Sequence, residues 1–342
     1  MSSIKDVAAD VAAQSEINEL RAALSKAQRA VSQSRAKSAG FVEATYAAAR
    51  HAYLAHGGYK PIVPPPADRR KKGKPEVALW HLTDWQCGKK TASYDMAVMD
   101  ERVRRFATKA VHIADIQRAD HPVRHCIILL GGDFVENTTT FPGQEWEVEA
   151  HTFEQMFTAG ATLEAVIRVA LETFETVQVI GEPGNHGRVG RPGDAPRGDN
   201  WDRVLYKVVT DRFATEPRFT YVNADSWHQR FSIGNYHGIL VHGDEFKGFG
   251  GQTPMFGILR KSNAWKSGVI KGGFQDIYVG HFHNHNDLTL AAGGSVFMTG
   301  SPESDNEYAR EFVAAAAIPS QRLHFIDPDK GRVTAQYRIE LA

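Results

Sequence analysis

Five short apolar runs in this 342-residue chain each end on a cluster of glycine, aspartate, asparagine or histidine, and no other feature restricts the fold as tightly. Val77 to Leu82 leads into Asp84-Trp85-Gln86, and Cys126 to Leu130 into Gly132-Asp133. Val177 to Ile180 leads into Gly184-Asn185-His186, Gly238 to His242 into Gly243-Asp244, and Ile277 to Val279 into Gly280-His281-Phe282-His283. Runs of this length, bounded by turn-forming residues, read as buried strands. Their polar clusters then sit on loops at strand ends, where α/β folds gather their chemistry.

The segments between the first three runs are long enough for helices. Tyr94 to Ala119 and Glu147 to Phe174 have helical composition, so strand, helix, strand, helix, strand implies parallel pairing with helical crossovers. Asn200 to Phe213 reads as another amphipathic helix, with Asp199 as its expected cap. Past Phe219 the pattern turns to short strands at Phe219 to Val222, Gln229 to Ile233, Asp287 to Ala291, Ser295 to Thr299, Arg322 to Ile326 and Val333 to Ile339. One helix, Pro254 to Trp265, interrupts them. The fold class expected is α/β: a two-sheet β-sandwich flanked by helices, with an N-terminal α-helical segment.

That N-terminal segment, residues 1–58, is alanine-rich and free of proline. Ile17, Leu20, Leu24, Ala27 and Val31 recur at three- and four-residue steps, the spacing of a coiled-coil seam. Two readings stand open for it: a homo-oligomer formed through this segment, or a helical hairpin folded onto its own domain. Residues 59–75 hold Pro61, Pro64, Pro65 and Pro66, then Arg69, Arg70, Lys71, Lys72 and Lys74, and read as a stiff basic linker. Residues 76–342 form the catalytic domain.

Bulk composition narrows the classes. Lysine plus arginine and aspartate plus glutamate balance at 40 each, so any basic surface must be local. The two cysteines, Cys87 and Cys126, are too few for a disulfide framework and suit a reducing compartment. No run of about 18 apolar residues exists, and the first ten residues carry no apolar signal core. These features point to a cytoplasmic protein with no membrane partner.

The polar clusters supply a metal-binding inventory. Asp84, Gln86, Asp133, Asn185, His242, His281 and His283 offer mixed oxygen and nitrogen ligation, which suits borderline first-row divalent ions and is poor for calcium. Seven ligands are too many for one ion, and two ions sharing a carboxylate leave positions for water and substrate oxygens. If the clusters continue their strands, residues two apart point the same way, so Asp84 with Gln86 and His281 with His283 can each face one site. His228, His237, His285 and His324 lie outside the pattern and read as structural histidines.

The ordered set Asp84-x-Gln86, Gly132-Asp133, Gly184-Asn185-His186, His242 and Gly280-His281-x-His283 resembles the calcineurin-like metallophosphoesterase superfamily over about Val77 to Ser301. The resemblance implies that Asp84, Gln86 and His283 hold one metal, that Asn185, His242 and His281 hold a second, and that Asp133 bridges them. It implies hydrolysis of phosphodiester bonds by attack of a metal-bridging hydroxide, with His186 the catalytic residue that assists the leaving group. Two departures stand out. Gln86 occupies a position where most members carry histidine, so a hard amide oxygen replaces an imidazole and two divalent ions with manganese favoured over iron, zinc, cobalt or nickel are expected. Gly187 follows the Gly-Asn-His where many members carry an acidic residue, which removes the carboxylate expected to orient His186.

Substrate class must be read outside the ligands. Arg188 and Arg191, with Arg197, lie in a loop holding only Asp194 as an early counter-charge, and are expected to bind substrate phosphate. Trp85, Trp201, Phe246, Phe249 and Trp265 lie near motif-bearing segments, as core residues or as stacking platforms for bases. Asp84-Trp85-Gln86, Asn200-Trp201-Asp202 and Glu307-Tyr308-Ala309 further resemble phage-encoded repair exonucleases of the SbcD type, which implies DNA as substrate and, if the protein is phage-encoded, the host cytoplasm. A DNA nuclease is therefore the leading expectation. A small-molecule phosphodiesterase or phosphatase acting on a cyclic or dinucleotide is the alternative, followed by an adaptor with a vestigial site.

Overall fold

The computed structural model describes residues 4–55, 59–69, 73–223, 226–246, 254–303 and 318–342. Four parallel strands, β1 (Glu76–Leu82), β2 (Val123–Leu130), β3 (Thr176–Gly181) and β4 (Phe219–Asn223), form the centre of the first sheet. Helices α2 (Met96–Gln117), α3 (Thr152–Thr173) and α4 (Trp201–Thr210) make the crossovers that parallel pairing requires. Strands β10 (Ser320–Asp327) and β11 (Arg332–Glu340) return from the end of the chain and add antiparallel to β1, giving the order β11-β10-β1-β2-β3-β4. The second sheet holds β5 (Gln229–Ile233), β6 (Tyr236–Val241), β7 (Asp276–Val279), β8 (Asn286–Thr289) and β9 (Ser295–Met298) in the order β5-β6-β7-β9-β8.

The period of two along each strand sorts the core into layers. On β1, Ala78, Trp80 and Leu82 face the α2–α4 layer, whereas Val77 and Leu79 meet Phe231, Leu240 and Tyr278 of the second sheet. The outer face of the second sheet, with Ile239, Val241 and Ile277, is covered by α5 (Met255–Ala264). The two-sheet sandwich flanked by helices is thus the architecture, as the alternating pattern implied.

Three local readings are corrected. The N-terminal segment is one unbroken helix of 52 residues, α1 (Ile4–Ala55), and not a hairpin, because a lone Gly40 costs only about 1 kcal/mol and no proline interrupts it. Its last turns dock: Phe41 sets its edge against Trp201 at 5.4 Å and Phe153 at 5.8 Å, Ala49 is buried, and the Tyr46 hydroxyl bonds Asp211. Leu24 is 59% exposed, while the side chains of Ile17, Leu20, Ala27 and Val31 lie outside the described residues, so the seam itself is not described. Helix α3 starts at Thr152 and not Glu147, because residues 144–146 form a 3-10 turn and the His151 N–H donates to the Glu154 carboxylate at 3.1 Å, fixing the first turn there. The cap of α4 is Asn200, not Asp199: its extended backbone lets Oδ1 accept from Asp202 N at 2.8 Å.

The proline-rich stretch 59–69 runs over the helical layer. Tyr59 donates to Glu216 at 2.7 Å, Ile62 is buried, and Asp68 is held by Glu175 and Arg124 through its backbone at 2.9 and 2.8 Å. Arg70, Lys71 and Lys72 of the basic run lie outside the described residues, as do Phe249 and Glu307-Tyr308-Ala309.

A polar chain joins the two sheets through the middle of the sandwich. Arg322 on β10 has no acceptor, so its Nη1 must donate to His324 Nε2 at 3.0 Å. His324 Nδ1 then donates to the Tyr278 hydroxyl at 3.0 Å, Tyr278 meets Tyr236 at 3.1 Å, and Tyr236 donates to Asp276 at 2.9 Å. Burial and the Arg322 charge hold His324 well below its ordinary pKa, so the imidazole stays neutral and can accept. Replacing Tyr236 with phenylalanine strands two buried partners and is expected to cost about 1–3 kcal/mol. Urea unfolding of Tyr236→Phe measures it, and an unchanged midpoint would show that the chain contributes nothing.

Candidate metal centre

The site forms where β1, β2, β3, β6 and β7 end, and its loops hold an unusual backbone. Asp84, Gln86, Asp133, His281 and His283 all have positive φ, between 42° and 66°. For residues other than glycine this left-handed region costs on the order of 1–3 kcal/mol each, so the surroundings must impose it. Between Asp84 and Gln86 the Trp85 side chain drops into the core against Phe134 at 4.2 Å, and the Tyr94 hydroxyl holds the Trp85 carbonyl. Asp84 and Gln86 therefore share a side because two left-handed residues flank a buried anchor, and not because a pleated strand continues: β1 has ended at Leu82. The same correction applies to His281 and His283 beyond β7.

The seven expected ligands gather into two linked groups. In the first, His283 Nε2 stands 3.5 Å from Asp84 and 3.3 Å from Gln86 Nε2. In the second, His242 Nε2 is 2.9 Å from Asn185 Oδ1 and 3.0 Å from Asp133 Oδ2. His281 completes it, since ligand atoms of Asp133, His242 and His281 all lie within 4.8 Å of one another. The groups are tied where the His281 N–H donates to both Asp84 oxygens at 2.9 and 3.0 Å.

The arrangement fits a cation. His242 Nδ1 is committed to the Gly131 carbonyl at 2.7 Å, so in the neutral ring Nε2 is a bare lone pair facing two oxygen acceptors. Such a cluster is stable only with positive charge at its centre, a proton or a metal. Gln86 Oε1 is likewise buried with no hydrogen-bond partner, as a ligand oxygen is before its ion binds. Despite burial, Asp133 is held well below the usual carboxylate range by His242 and His186. Burial opposes protonation of His283, yet Asp84 and Glu303 push its pKa up to about 10, while burial and the neighbouring His242 charge bring His281 down to about 4.

Several residues of the site escaped the sequence reading. Asp202, at the start of α4, accepts from Asp133 N and Gly184 N at 2.9 Å each and from Phe134 N at 3.0 Å. Asn200 Nδ2 adds a bond to the Gly184 carbonyl at 2.8 Å. One helix terminus thus fixes both the Gly-Asp and the Gly-Asn-His loops, and only the helix-start position of these two residues hinted at it. Glu303, buried beside His283 Nδ1 at 3.3 Å, orients that ring.

His186 is oriented by a carboxylate from another loop. Its Nδ1 lies 3.1 Å from Glu136 Oε2, and Gln144 Nε2 donates to the Glu136 carbonyl at 2.6 Å, fixing that loop beside the ring. Gly187 carries no acid because there is no room: a Cβ there would stand 2.3 Å from Asn200 Oδ1. Glu136, three residues after Asp133, takes that role, and its spacing was the available signal. The Phe141 ring closes over His186 with centroids 5.1 Å apart. Gly184 is needed for close approach, since a Cβ would fall 2.1 Å from Asp133 Oδ1.

The arginines expected to bind substrate are mostly engaged. Arg188 pairs with Asp244, and Arg197 with Glu245 at 2.7 Å and Glu182 at 3.3 Å. Arg191 lines the cleft in front of the centre, together with Asn185 and His281. Trp85, Trp201, Phe246 and Trp265 are all buried, so none of them is a stacking platform.

No family model matches the chain, and no curated protein matches its sequence. Among solved structures it is similar to a conserved uncharacterized protein of Streptococcus pneumoniae described as a predicted phosphoesterase, with 11% identity over 77% of this chain and 98% of that one and a TM-score of 0.31. Others are Vps29 of Chaetomium thermophilum, at 7% identity over 78% and 100% with TM-score 0.33, and a dimetal phosphatase of Danio rerio, at 10% over 78% and 99% with TM-score 0.38. Likenesses this remote say nothing of the reaction, which must be argued from the site itself.

Burial disfavours the charged imidazole of His186, but Glu136 and Asp133 outweigh it and push its pKa up to about 9. In the metal-free protein this group contributes stability that is fully present below its ordinary pKa of about 6.5 and is lost as pH rises through 9. NMR titration of His186 is expected to show the raised midpoint, and Glu136→Gln to lower it and flatten the dependence of stability on pH across that window. A midpoint unchanged by Glu136→Gln would remove Glu136 from this role.

Proposed function

We propose that this protein is a metal-dependent phosphodiesterase of the calcineurin-like type. The observation that carries the reading is the convergence of Asn185 Oδ1, Asp133 Oδ2 and His242 Nε2 within 3.0 Å, beside an imidazole poised to donate a proton. Asn185, His242, His281 and Asp133 would hold one ion, and Asp84, Gln86 and His283, with Asp133 shared, the other. Two divalent ions there supply Lewis acidity, drawing phosphate oxygens in and neutralising charge that builds on them.

The chain's own groups do the rest. His186 has its pKa raised by Glu136 and Asp133, its Nδ1 lies beside the Glu136 carboxylate, and its Nε2 faces the centre 4.0 Å from Asp133 Oδ2. A proton carried there can pass to a departing alkoxide, the role of a general acid. Asp202 and Asn200 keep the two ligand loops at fixed separation, so that substrate meets a preformed site.

DNA remains the leading substrate within this proposal, supported by an open cleft at the centre and by Arg191 on its wall. A compact diester such as a dinucleotide is the second reading. The pairing of Arg188 and Arg197 with Asp244, Glu245 and Glu182 favours it, because those charges are already neutralised. Hydrolysis of end-labelled DNA and of bis(p-nitrophenyl) phosphate with manganese separates the two. His186→Ala is expected to lower kcat by roughly 10²–10⁴ with metal content unchanged. Turnover equal to that of the parent protein would end the assignment of His186.

Manganese preference also belongs to the proposal, since the amide oxygen of Gln86 is a harder and weaker ligand than imidazole. Gln86→His is expected to tighten the weaker ion several-fold and to shift preference towards zinc. Calorimetric titration reads both, and identical binding curves would place Gln86 outside the ligand set.

A further inference from the structure

Two clefts meet in front of the metal centre, and they differ in charge. The first, of about 550 Å³, is lined by Asn185 and His281 together with Arg188, Arg191 and Arg197 against Asp199 and Asp244. The second, of about 880 Å³, is lined by Thr138, Thr139 and Pro142 and by the carboxylates Glu145, Glu149 and Glu154. Phe141 and Arg191 belong to both and mark the junction. Among the described residues Arg191 is the one lysine or arginine on the wall of the second cleft, and no lysine or arginine occurs anywhere in residues 125–167.

The junction also gives the clefts an order relative to the reaction. The Phe141 ring, 37% exposed, lies against His186, the group that protonates the departing oxygen. The second cleft opens on the far side of Phe141 from the arginine loop, so a leaving group released at His186 has Phe141 and that cleft beside it, while the phosphate would stay with the metal ligands. In that cleft the leaving group's neighbours are an aromatic ring, two threonines, His151, Arg191 and three carboxylates. Glu149 already accepts from Lys90 and from Met96 N, and Glu154 from His151 N, whereas Glu145 is exposed. With Glu149 offset by Lys90, a phosphate carried into such a wall meets the like charge of Glu145 and Glu154, with Arg191 at the junction.

We propose that the second cleft is the leaving-group site and that it selects an alcohol bearing no phosphate of its own, such as a terminal nucleoside stacked on Phe141. This rests on the phosphodiesterase reading and adds to it the chemistry of one side of the substrate. In the step itself, water supplies the oxygen that forms the new bond to phosphorus and the bond from phosphorus to the leaving oxygen breaks. His186 gives that oxygen its proton, and a water proton restores the imidazole. A polynucleotide is then cut where the departing piece is a single unphosphorylated end, and a strand running on through the cleft with its phosphates is rejected.

The test uses thymidylyl-thymidine and its two singly phosphorylated forms, one with an added 5′-phosphate and one with an added 3′-phosphate, with the full-length protein and manganese. Product analysis identifies which nucleoside leaves. The phosphate on that nucleoside is expected to lower kcat/KM by about tenfold or more, the phosphate on the retained nucleoside far less, and Glu145→Lys to narrow the ratio. Equal rates for the two phosphorylated forms, a penalty on the retained side, or a ratio untouched by Glu145→Lys while turnover persists would overturn the inference and leave the phosphodiesterase reading standing. Equilibrium binding of the same three compounds to manganese-loaded His186→Ala keeps the two separable. One-sided discrimination in binding without turnover by the parent protein supports the cleft and sinks the reaction, and neither binding nor turnover sinks both.

Discussion

The carboxylate of Asp202 is the interaction on which the site depends. It receives the backbone N–H groups of Asp133, Phe134 and Gly184, three donors from two loops that follow different strands. Without it, those loops would each keep buried amides unpaired, at a cost of about 1–3 kcal/mol apiece, and the Asp133 and Asn185 ligands would lose their common frame. Burial and the nearby Asp133 charge raise the Asp202 pKa to about 6, so the same residue that organises the ligands is itself disfavoured as an anion in the metal-free protein. Positive charge at the centre relieves both carboxylates together.

Left-handed backbone at Asp84, Gln86, Asp133, His281 and His283 follows from the same frame. These residues leave their strands and turn back so that their side chains converge, and buried anchors such as Trp85 hold them there. The strain is local, the compensation is spread through the core, and the expected ligand side chains are held together by the protein itself. Close approach sets the other limit. The space that an acidic residue at position 187 would need belongs to Asn200 and Asp202, so the carboxylate that orients His186 comes from Glu136 on the neighbouring loop.

The fold also separates charge around the site. Strand β3 feeds the arginine-bearing loop, and β2 feeds the acidic stretch up to α3, so parallel neighbours deliver opposite walls to one opening. Overall neutrality concealed this, because a balance of 40 against 40 says nothing of where the charges lie. The arginines of the first wall are in turn restrained by Asp244 and Glu245, which arrive on the loop after β6.

The layered α/β architecture was legible in the sequence, and so was the placing of the seven polar side chains at strand ends, because strand burial and turn-forming clusters are properties of short local patterns. Helix α1 was legible as helix, but a single glycine could not say whether it bends. The sequence was silent on which sheet receives β10 and β11, since the pattern of a strand shows which faces are buried and not which sheet it joins. Tertiary structure alone decided that Glu136, Gln144, Asp202 and Glu303 serve the site and that Arg188 and Arg197 are paired away. Each of those roles depends on distances between loops tens of residues apart in the chain, and the packing of strands and helices fixes such distances only once the whole domain has closed.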